Sequence, residues 1–369
     1  MKPIRVLHVV GVMDRGGVET WLLHVMRCID RRKIQMDFLV HTTRNGAYDT
    51  ELQSLGARVF PCPDTRDPLR YARRFIEIND QAGPFDVIHS HLHGFNGFVM
   101  SLACALRIPM RISHSHSCSS KASGSRCRHA YQHASRWLIS ANCTHGLAAS
   151  NPAADDLFGE QWRSDPRFEV LPCGIDLAPF HLPVDRVTVR SEFGFDERNV
   201  VLGHVGRFDH PKNHDFLVDI AAQAVAQNPD ARLLLVGDGP LRPAIEAKVR
   251  RLGITRHVIF AGSRSDVPRL LLGAMDKFLF PSLHEGLGLA LIEAQAAGLP
   301  CTISSEIPGE VDLIPPLITR IPLENSAATW ADRVMGIRPA GVPQALTHIE
   351  RSPFNVVTSA RKLANTYGA

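Results

Sequence analysis

The sequence predicts an α/β protein built from two doubly wound parallel sheets. Three observations carry that expectation. Short β-branched runs alternate with helical ones along the first half, as a parallel sheet covered on both faces requires. The alternation pauses at GIDLAPFHLPVDR (174 to 186), whose prolines read as a linker. It then restarts, in a chain of 369 residues that exceeds what one hydrophobic core usually fills.

In the first half the strands are read at IRVLHVV (4 to 10), QMDFLV (35 to 40), ARVFPC (57 to 62), DVIHSH (86 to 91), MRISHS (110 to 115), GLAAS (146 to 150) and FEVLP (168 to 172). Segments such as GVETWLLHVMRCI and PLRYARRFIEI supply the crossover helices. In the second half the strands are NVVLGHVGRF (199 to 208), ARLLLVGDG (231 to 239), HVIFAG (257 to 262), DKFLFPS (276 to 282) and PCTIS (300 to 304). The expected domains are therefore 1 to 180 and 181 to 350. Residues 351 to 369 are expected to form a helix, with Phe354, Val357, Ala360 and Leu363 at helical spacing, that packs back on the first domain. Ligands of open α/β sheets sit outside the carboxyl ends of the strands. Two such sheets facing one another would hold theirs in the cleft between them.

Composition narrows the class. With 44% hydrophobic and 21% charged residues, the chain can bury large cores and is not disordered. It has no apolar run of about 18 residues to span a bilayer, and the apolar run in MKPIRVLHVVGVMD is too short for a secretory leader. The expected location is the cytoplasm. Eight cysteines without any C-x-x-C pair argue against a zinc knuckle, a redox motif or a disulfide framework, and read as reduced thiols. A net charge of +4 is too small to imply nucleic acid. The stretch KASGSRCRHAYQHASR (121 to 136) is basic without any acid, which favours weak attraction to an anionic surface.

The richest segment is PSLHEGLGLALIEAQAAG, 281 to 298. A helix starting near Leu287 carries one charge, Glu293, so most of its circumference must be buried. A carboxylate there needs hydrogen-bond donors, from a buried arginine in the bland reading or from ligand hydroxyls in the functional one. Gly286 and Gly288 let another group approach the backbone, and the helix start offers free N–H groups to a phosphate. Glu285 lies on the loop just before. In GRFDHPKNHDFLVDI (206 to 220), Arg207 ends a strand and Lys212 precedes the next helix, so both cations fall at the sheet's carboxyl edge. They are a solvated pair, or the grip on a diphosphate and on the charge that grows as it leaves. Gly16 and Gly17, in MDRGGVETW (13 to 21), likewise either form a plain turn or bring amides to an anion.

Other chemistries lack their signatures. Neither GDGPLR (237 to 242) nor GLGLAL (286 to 291) completes G-x-G-x-x-G, and no G-x-x-x-x-G-K-[ST] occurs. No Asp-x-Asp pair is present to hold a divalent cation against phosphates. HSHLHG (89 to 94) and HSHS (114 to 117) invite a metal reading, but a hydrolytic site wants acidic partners that the sequence does not supply. No metal is therefore expected. One histidine at the end of the 110 to 116 strand is expected to reach the cleft as a neutral donor, and most of the 18 histidines to be structural or exposed.

Together these segments resemble glycosyltransferase family 4, the retaining nucleotide-sugar enzymes of the GT-B fold with two Rossmann-like domains, and within it the exopolysaccharide and capsule branch. The likeness rests on MDRGGVETWLLHVMRCIDRRKIQMDFLV, HVGRFDHPKNHDFLVDIA, LLLVGDGPLRPAIEAKVRRLGI, VIFAGSRSDVPRLL and MDKFLFPSLHEGLGLALIEAQAAGLPCTIS, in that order over nearly the whole chain. It implies that Glu293 holds the donor's ribose hydroxyls and Glu285 faces the sugar. Arg207 and Lys212 would bind the diphosphate, the amides of Gly286, Leu287, Gly288 and Leu289 would contact sugar and phosphate, and Gly17 would belong to the N-terminal glycine loop. Gly237, in the GDGP turn, and Arg264, in the GSRSD turn that seats the base by main-chain contacts, complete the nucleotide side. The sugar-facing histidine falls at His116, with His114 as rival. Many relatives have proline where this chain has Gly288, a departure read as tolerated. The implied reaction moves a sugar from a UDP-sugar to a glycan or polyprenyl-linked glycan acceptor without divalent metal or cofactor, with peripheral contact to the inner face of the plasma membrane. The alternative is a non-catalytic nucleotide- or glycan-binding scaffold of a polysaccharide assembly complex.

Overall fold

The computed structural model describes residues 2–117, 126–337, 342 and 344–369. They form two compact units, Met1–Gly174 with Val356–Ala369, and Ile175–Asn355. The first unit holds seven strands, β1 (Ile4–Val10), β2 (Ile34–Val40), β3 (Val59–Pro61), β4 (Val87–Ser90), β5 (Met110–Ser115), β6 (His145–Ala148) and β7 (Phe168–Val170). They pair in parallel in the order β3-β2-β1-β4-β5-β6-β7. The second unit holds β8 (Val200–Val205), β9 (Ala231–Val236), β10 (Val258–Gly262), β11 (Lys277–Phe280), β12 (Cys301–Ser304) and β13 (Ile318–Ile321). These are again all parallel, in the order β10-β9-β8-β11-β12-β13. Both are Rossmann-like sheets of the GT-B type.

Apolar runs form the strands because helices cover both faces. Trp21, Phe38 and Phe75 are fully buried in the first unit, and Phe208, Phe278 and Trp330 in the second, each large enough to dominate its local packing. Helix starts follow capping chemistry: Asp67 accepts from the amides of Leu69 and Arg70 ahead of helix Pro68–Ala82, and Ser150 accepts from Ala153 ahead of Asn151–Phe158.

Three sequence expectations need correction. β13 was not anticipated: its four residues lie between Pro316 and Pro322, where proline normally signals a loop, and it survives as an edge strand paired on one side only. The stretch 174 to 186 is more than a linker. Ile175 pairs in parallel with Asn355, so the two chain crossings run side by side at 174 and 355 rather than at 180 and 350, while Leu177 and Phe180 are buried. In the last helix, Val356–Tyr367, Val356 is buried and Val357 is exposed. That helix packs against helix Gly17–Cys28, with Trp21 Nε1 donating to Ser359 Oγ at 2.8 Å.

No helix is long and apolar enough to cross a membrane among the described residues. Of the basic stretch 121 to 136, residues 121–125 lie outside the described residues, and the remainder opens helix Arg126–Asn142.

Candidate active site

In the second unit the winding reverses between β8 and β11, and ligands of open α/β sheets bind beyond the carboxyl ends at such a reversal. The segments just after β8 and β11 are therefore where a ligand would be held. β8 runs into Gly206, whose amide donates to Val236 O. A Cβ on Gly237, where φ is +137°, would lie 2.0 Å from Gly206 O, so only glycine lets the ends of β8 and β9 approach. Arg207 comes next, exposed. The chain then makes a turn at His210–Lys212, and Asn213 in the left-handed region (φ 53°) leads into helix His214–Gln227.

Lys212 Nζ donates to Glu285 Oε1 at 2.6 Å and sits 5.0 Å from the centre of the Phe280 ring. The two side chains are only 19% and 10% exposed, so this pair is screened far less than a surface bridge. The sequence assigned Lys212 and Glu285 to different parts of a ligand, and the structure brings them together. Sequence reasoning also passed over Asp209. Burial pushes its carboxyl above the usual range, against the pull of Lys212 and Arg207, and its Oδ1 is buried without a hydrogen bond among the described residues. The signal was an acid set between two cations in RFDHPK.

Beyond β11, the loop carrying Gly286 and Leu287 ends at Gly288, which caps helix Leu289–Ala296 at φ 94°. The helix thus begins at Leu289, later than the sequence suggested. Proline is locked near −65° and cannot take this backbone, so the loop here has a conformation of its own. Glu293 has neither hydrogen bond nor ion pair among the described residues, which removes the bland reading of a buried arginine partner. Burial raises its carboxyl to about 7. Arg264 is held bidentately by Asp266, at 2.8 Å on each branch, so its side chain is spent locally and the turn has only its main chain to offer.

In the first unit the reversal lies between β1 and β4. Gly16 caps helix Gly17–Cys28, but a Cβ there would be 2.3 Å from Glu19 Oε2. The chain thus sets its own carboxylate against the helix start, and an incoming anion would have to compete with Glu19.

The histidines gather at the same sheet end. His8 Nδ1 meets His91 Nε2 at 3.0 Å, His91 Nδ1 meets His116 Nε2 at 2.8 Å, and His116 Nδ1 meets Cys173 Sγ at 3.4 Å. In a second row, Tyr367 Oη meets His89 Nδ1 at 2.7 Å and His89 Nε2 meets His114 Nδ1 at 3.1 Å. Burial pushes all five rings below the usual histidine range, His8 and His116 to about 3, so they are neutral. The Leu171 backbone opposes the shift at His114. His114 is fully buried and His116 half-buried, which makes His116 the more reachable of the two, although both its ring nitrogens are engaged.

Residues 15–179 match the domain family described as Glycosyltransferase Family 4, and residues 199–337 the one described as Glycosyl transferases group 1. EpsF of Bacillus subtilis (strain 168), named as a glycosyltransferase, is 36% identical over 92% of this chain and 89% of its own length. A UDP-Gal:alpha-D-GlcNAc-diphosphoundecaprenol alpha-1,3-galactosyltransferase of Escherichia coli is 28% identical over 60% of this chain and 58% of its own. Among solved structures, Anabaena HepE in complex with UDP-glucose has the same fold, with a TM-score of 0.80 over 99% of both chains at 20% identity. With both domain types in this order and a relative matched over nearly its full length, the chain belongs to the group 1 and family 4 glycosyltransferases.

Proposed function

We propose that this glycosyltransferase moves a sugar from UDP to a hydroxyl of a lipid-linked glycan in exopolysaccharide, capsule or O-antigen synthesis, with retention of anomeric configuration. The observation that carries this reading is Glu293, a half-buried carboxylate without a partner among the described residues, on a helix whose start follows β11. Such a group is stable once ligand hydroxyls donate to it, and ribose presents two side by side. Arg207 and Lys212 then bind the diphosphate. As Lys212 turns to phosphate, Glu285 is freed toward the donor sugar, with the amides around Gly288 completing the contacts. The anomeric carbon becomes oxocarbenium-like as its bond to the diphosphate breaks; the acceptor hydroxyl oxygen then bonds to that carbon on the same face, and its proton passes to the departing phosphate oxygen. His116 donates to a sugar oxygen. Charge on the leaving group is met by two side chains and main-chain amides, so the transfer step needs no divalent metal. The acceptor's lipid would keep the enzyme at the inner face of the plasma membrane.

The E. coli relative's printed substrate and the UDP-glucose held by HepE support UDP and a polyprenyl-linked acceptor. The test is release and transfer from a panel of UDP-sugars by the wild type and by Arg207→Ala, Lys212→Ala and Glu293→Ala. Near wild-type turnover in all three variants refutes the assignment. Calorimetric UDP binding by the wild type without any turnover favours the scaffold alternative instead.

A further inference from the structure

We propose that Asp209 tells the donor from the spent product: its carboxyl, set between the two cations assigned to the diphosphate, opposes the further negative charge of UDP and favours its release. The inference rests on the donor site proposed above and adds to it a residue that pushes rather than grips.

The backbone fixes where Asp209 stands. Its amide donates to Arg207 O at 2.8 Å, and the Lys212 amide donates to Asp209 O at 3.3 Å, so the acid is tied to both cations through the main chain. On one side Phe208 is fully buried, and its amide donates to Asp238 O at 3.0 Å. On the other, the Leu283 amide donates to Pro211 O at 2.8 Å and Asn213 Nδ2 to Pro281 O at 3.1 Å, which stitches this turn to the segment after β11. The carboxyl is therefore kept among Arg207, Lys212 and Glu285.

An aspartate ahead of a helical turn ordinarily caps it. Asp209 occupies that place before His210–Lys212, yet its side chain makes no capping hydrogen bond, and Oδ1 is buried with no hydrogen-bond partner among the described residues. A buried acceptor without a donor is costly, so a cap does not account for it. The surrounding charges do. Burial raises the carboxyl, Lys212, Arg207 and the Lys212 backbone pull it down, and Glu285 pushes it up again. His204 and His214, which feel the charge of Lys212, are held neutral by burial and add none of their own.

A sugar ester leaves the terminal phosphate of the donor no ionisation near neutral pH. Free UDP has one: once the acceptor's proton is lost, its terminal phosphate ionises further at about pH 6. A bound diphosphate also takes up the charge of Arg207 and Lys212 that keeps Asp209 ionised. Asp209 then stays charged against the phosphates or takes a proton from water, and either course costs more with UDP than with the donor. Weaker product binding speeds release, a step that often limits turnover.

The test is calorimetric titration of the full chain with UDP and with UDP-glucose at about pH 8, where the terminal phosphate of UDP is fully ionised. Asp209→Asn and Asp209→Ser should bind UDP on the order of tenfold more tightly, with a smaller gain for UDP-glucose, and UDP should become a correspondingly stronger inhibitor of transfer. Asp209→Glu keeps the charge and should bind UDP no more tightly than the wild type. Asp332→Asn, an acid of the same unit bonded to Gln227, should bind UDP as the wild type does. A residue that only arranges the turn or its cations predicts the opposite sign, weaker UDP binding on its removal. Unchanged or weakened UDP binding in folded Asp209→Asn, or an equal gain for UDP-glucose, overturns the inference, while lost UDP binding in Arg207→Ala upholds the donor site. Wild-type protein that binds no UDP, or binding that Arg207→Ala leaves intact, overturns both. If neither Asp209→Asn nor Asp209→Ser folds, Asp209 is structural and the inference falls.

Discussion

At the carboxyl ends of β1, β4 and β5, neutral imidazoles lean on one another and on Tyr367 and Cys173. At the equivalent position of the second winding, beyond β8 and β11, the chain sets Arg207, Asp209, Lys212 and Glu285. The same topology therefore supports a cluster of neutral imidazoles in one unit and a charged cluster in the other. The scaffold fixes where chemistry happens, and a few side chains after the central strands decide which chemistry it is.

Breaking the charged end should have the largest effect. Lys212→Ala removes the proposed leaving-group cation and leaves Glu285 half-buried without its partner, so transfer should fall on the order of a hundredfold or more, read as kcat at saturating donor. A lysine tied up only in a structural bridge would instead change the melting temperature and leave kcat nearly intact.

Acidity should separate the units next, because their trends oppose one another. Unfolded histidines take up protons near pH 6.5, whereas His8 is held down to about 3 by burial. That contribution to the first unit is present above pH 6.5 and is lost as the pH falls toward 3. Glu293 runs the other way. Its carboxyl is raised from 4.5 to about 7, so its contribution to the unliganded second unit is complete below pH 4.5 and is lost as the pH rises through 7. Hydrogen exchange on β4 and on helix Leu289–Ala296 should show these opposite slopes, and Glu293→Gln should abolish the second. UDP affinity should rise with pH through 7 in the wild type and be flat in that variant, since the carboxylate is the form that accepts hydroxyl hydrogens.

A smaller break is Tyr367→Phe, which strips the partner from His89 Nδ1. The expected cost is about 1–3 kcal/mol, read by urea denaturation on probes in the first unit and absent from the second. Smallest is Gly288→Ala. Its Cβ would meet nothing nearer than Phe280 Cε1 at 3.4 Å, so the loss is the left-handed backbone alone, about 1 kcal/mol. Gly288→Pro should lose more, because its ring forbids φ 94°.

The legible part of this protein was whatever local pattern encodes. The β-branched runs gave all strands except β13, whose flanking prolines imitate a loop. Arg207 and Lys212 could be placed at a sheet edge because they span the turn from a strand to the next helix. What could not be read was pairing at a distance. That Lys212 meets Glu285 depends on β8 lying beside β11. That His8 joins His91 depends on β1 lying beside β4 across 83 residues. Glu293 was legible as a puzzle, a charge on a greasy helix, and the structure sharpened it by providing no partner among the described residues.

The last helix carries a consequence for biosynthesis. His89 finds its phenol 278 positions downstream, and Trp21 its serine 338 positions downstream. A nascent chain on the ribosome can close the whole second sheet before the first unit gains these two contacts, so the part translated first is the part finished last.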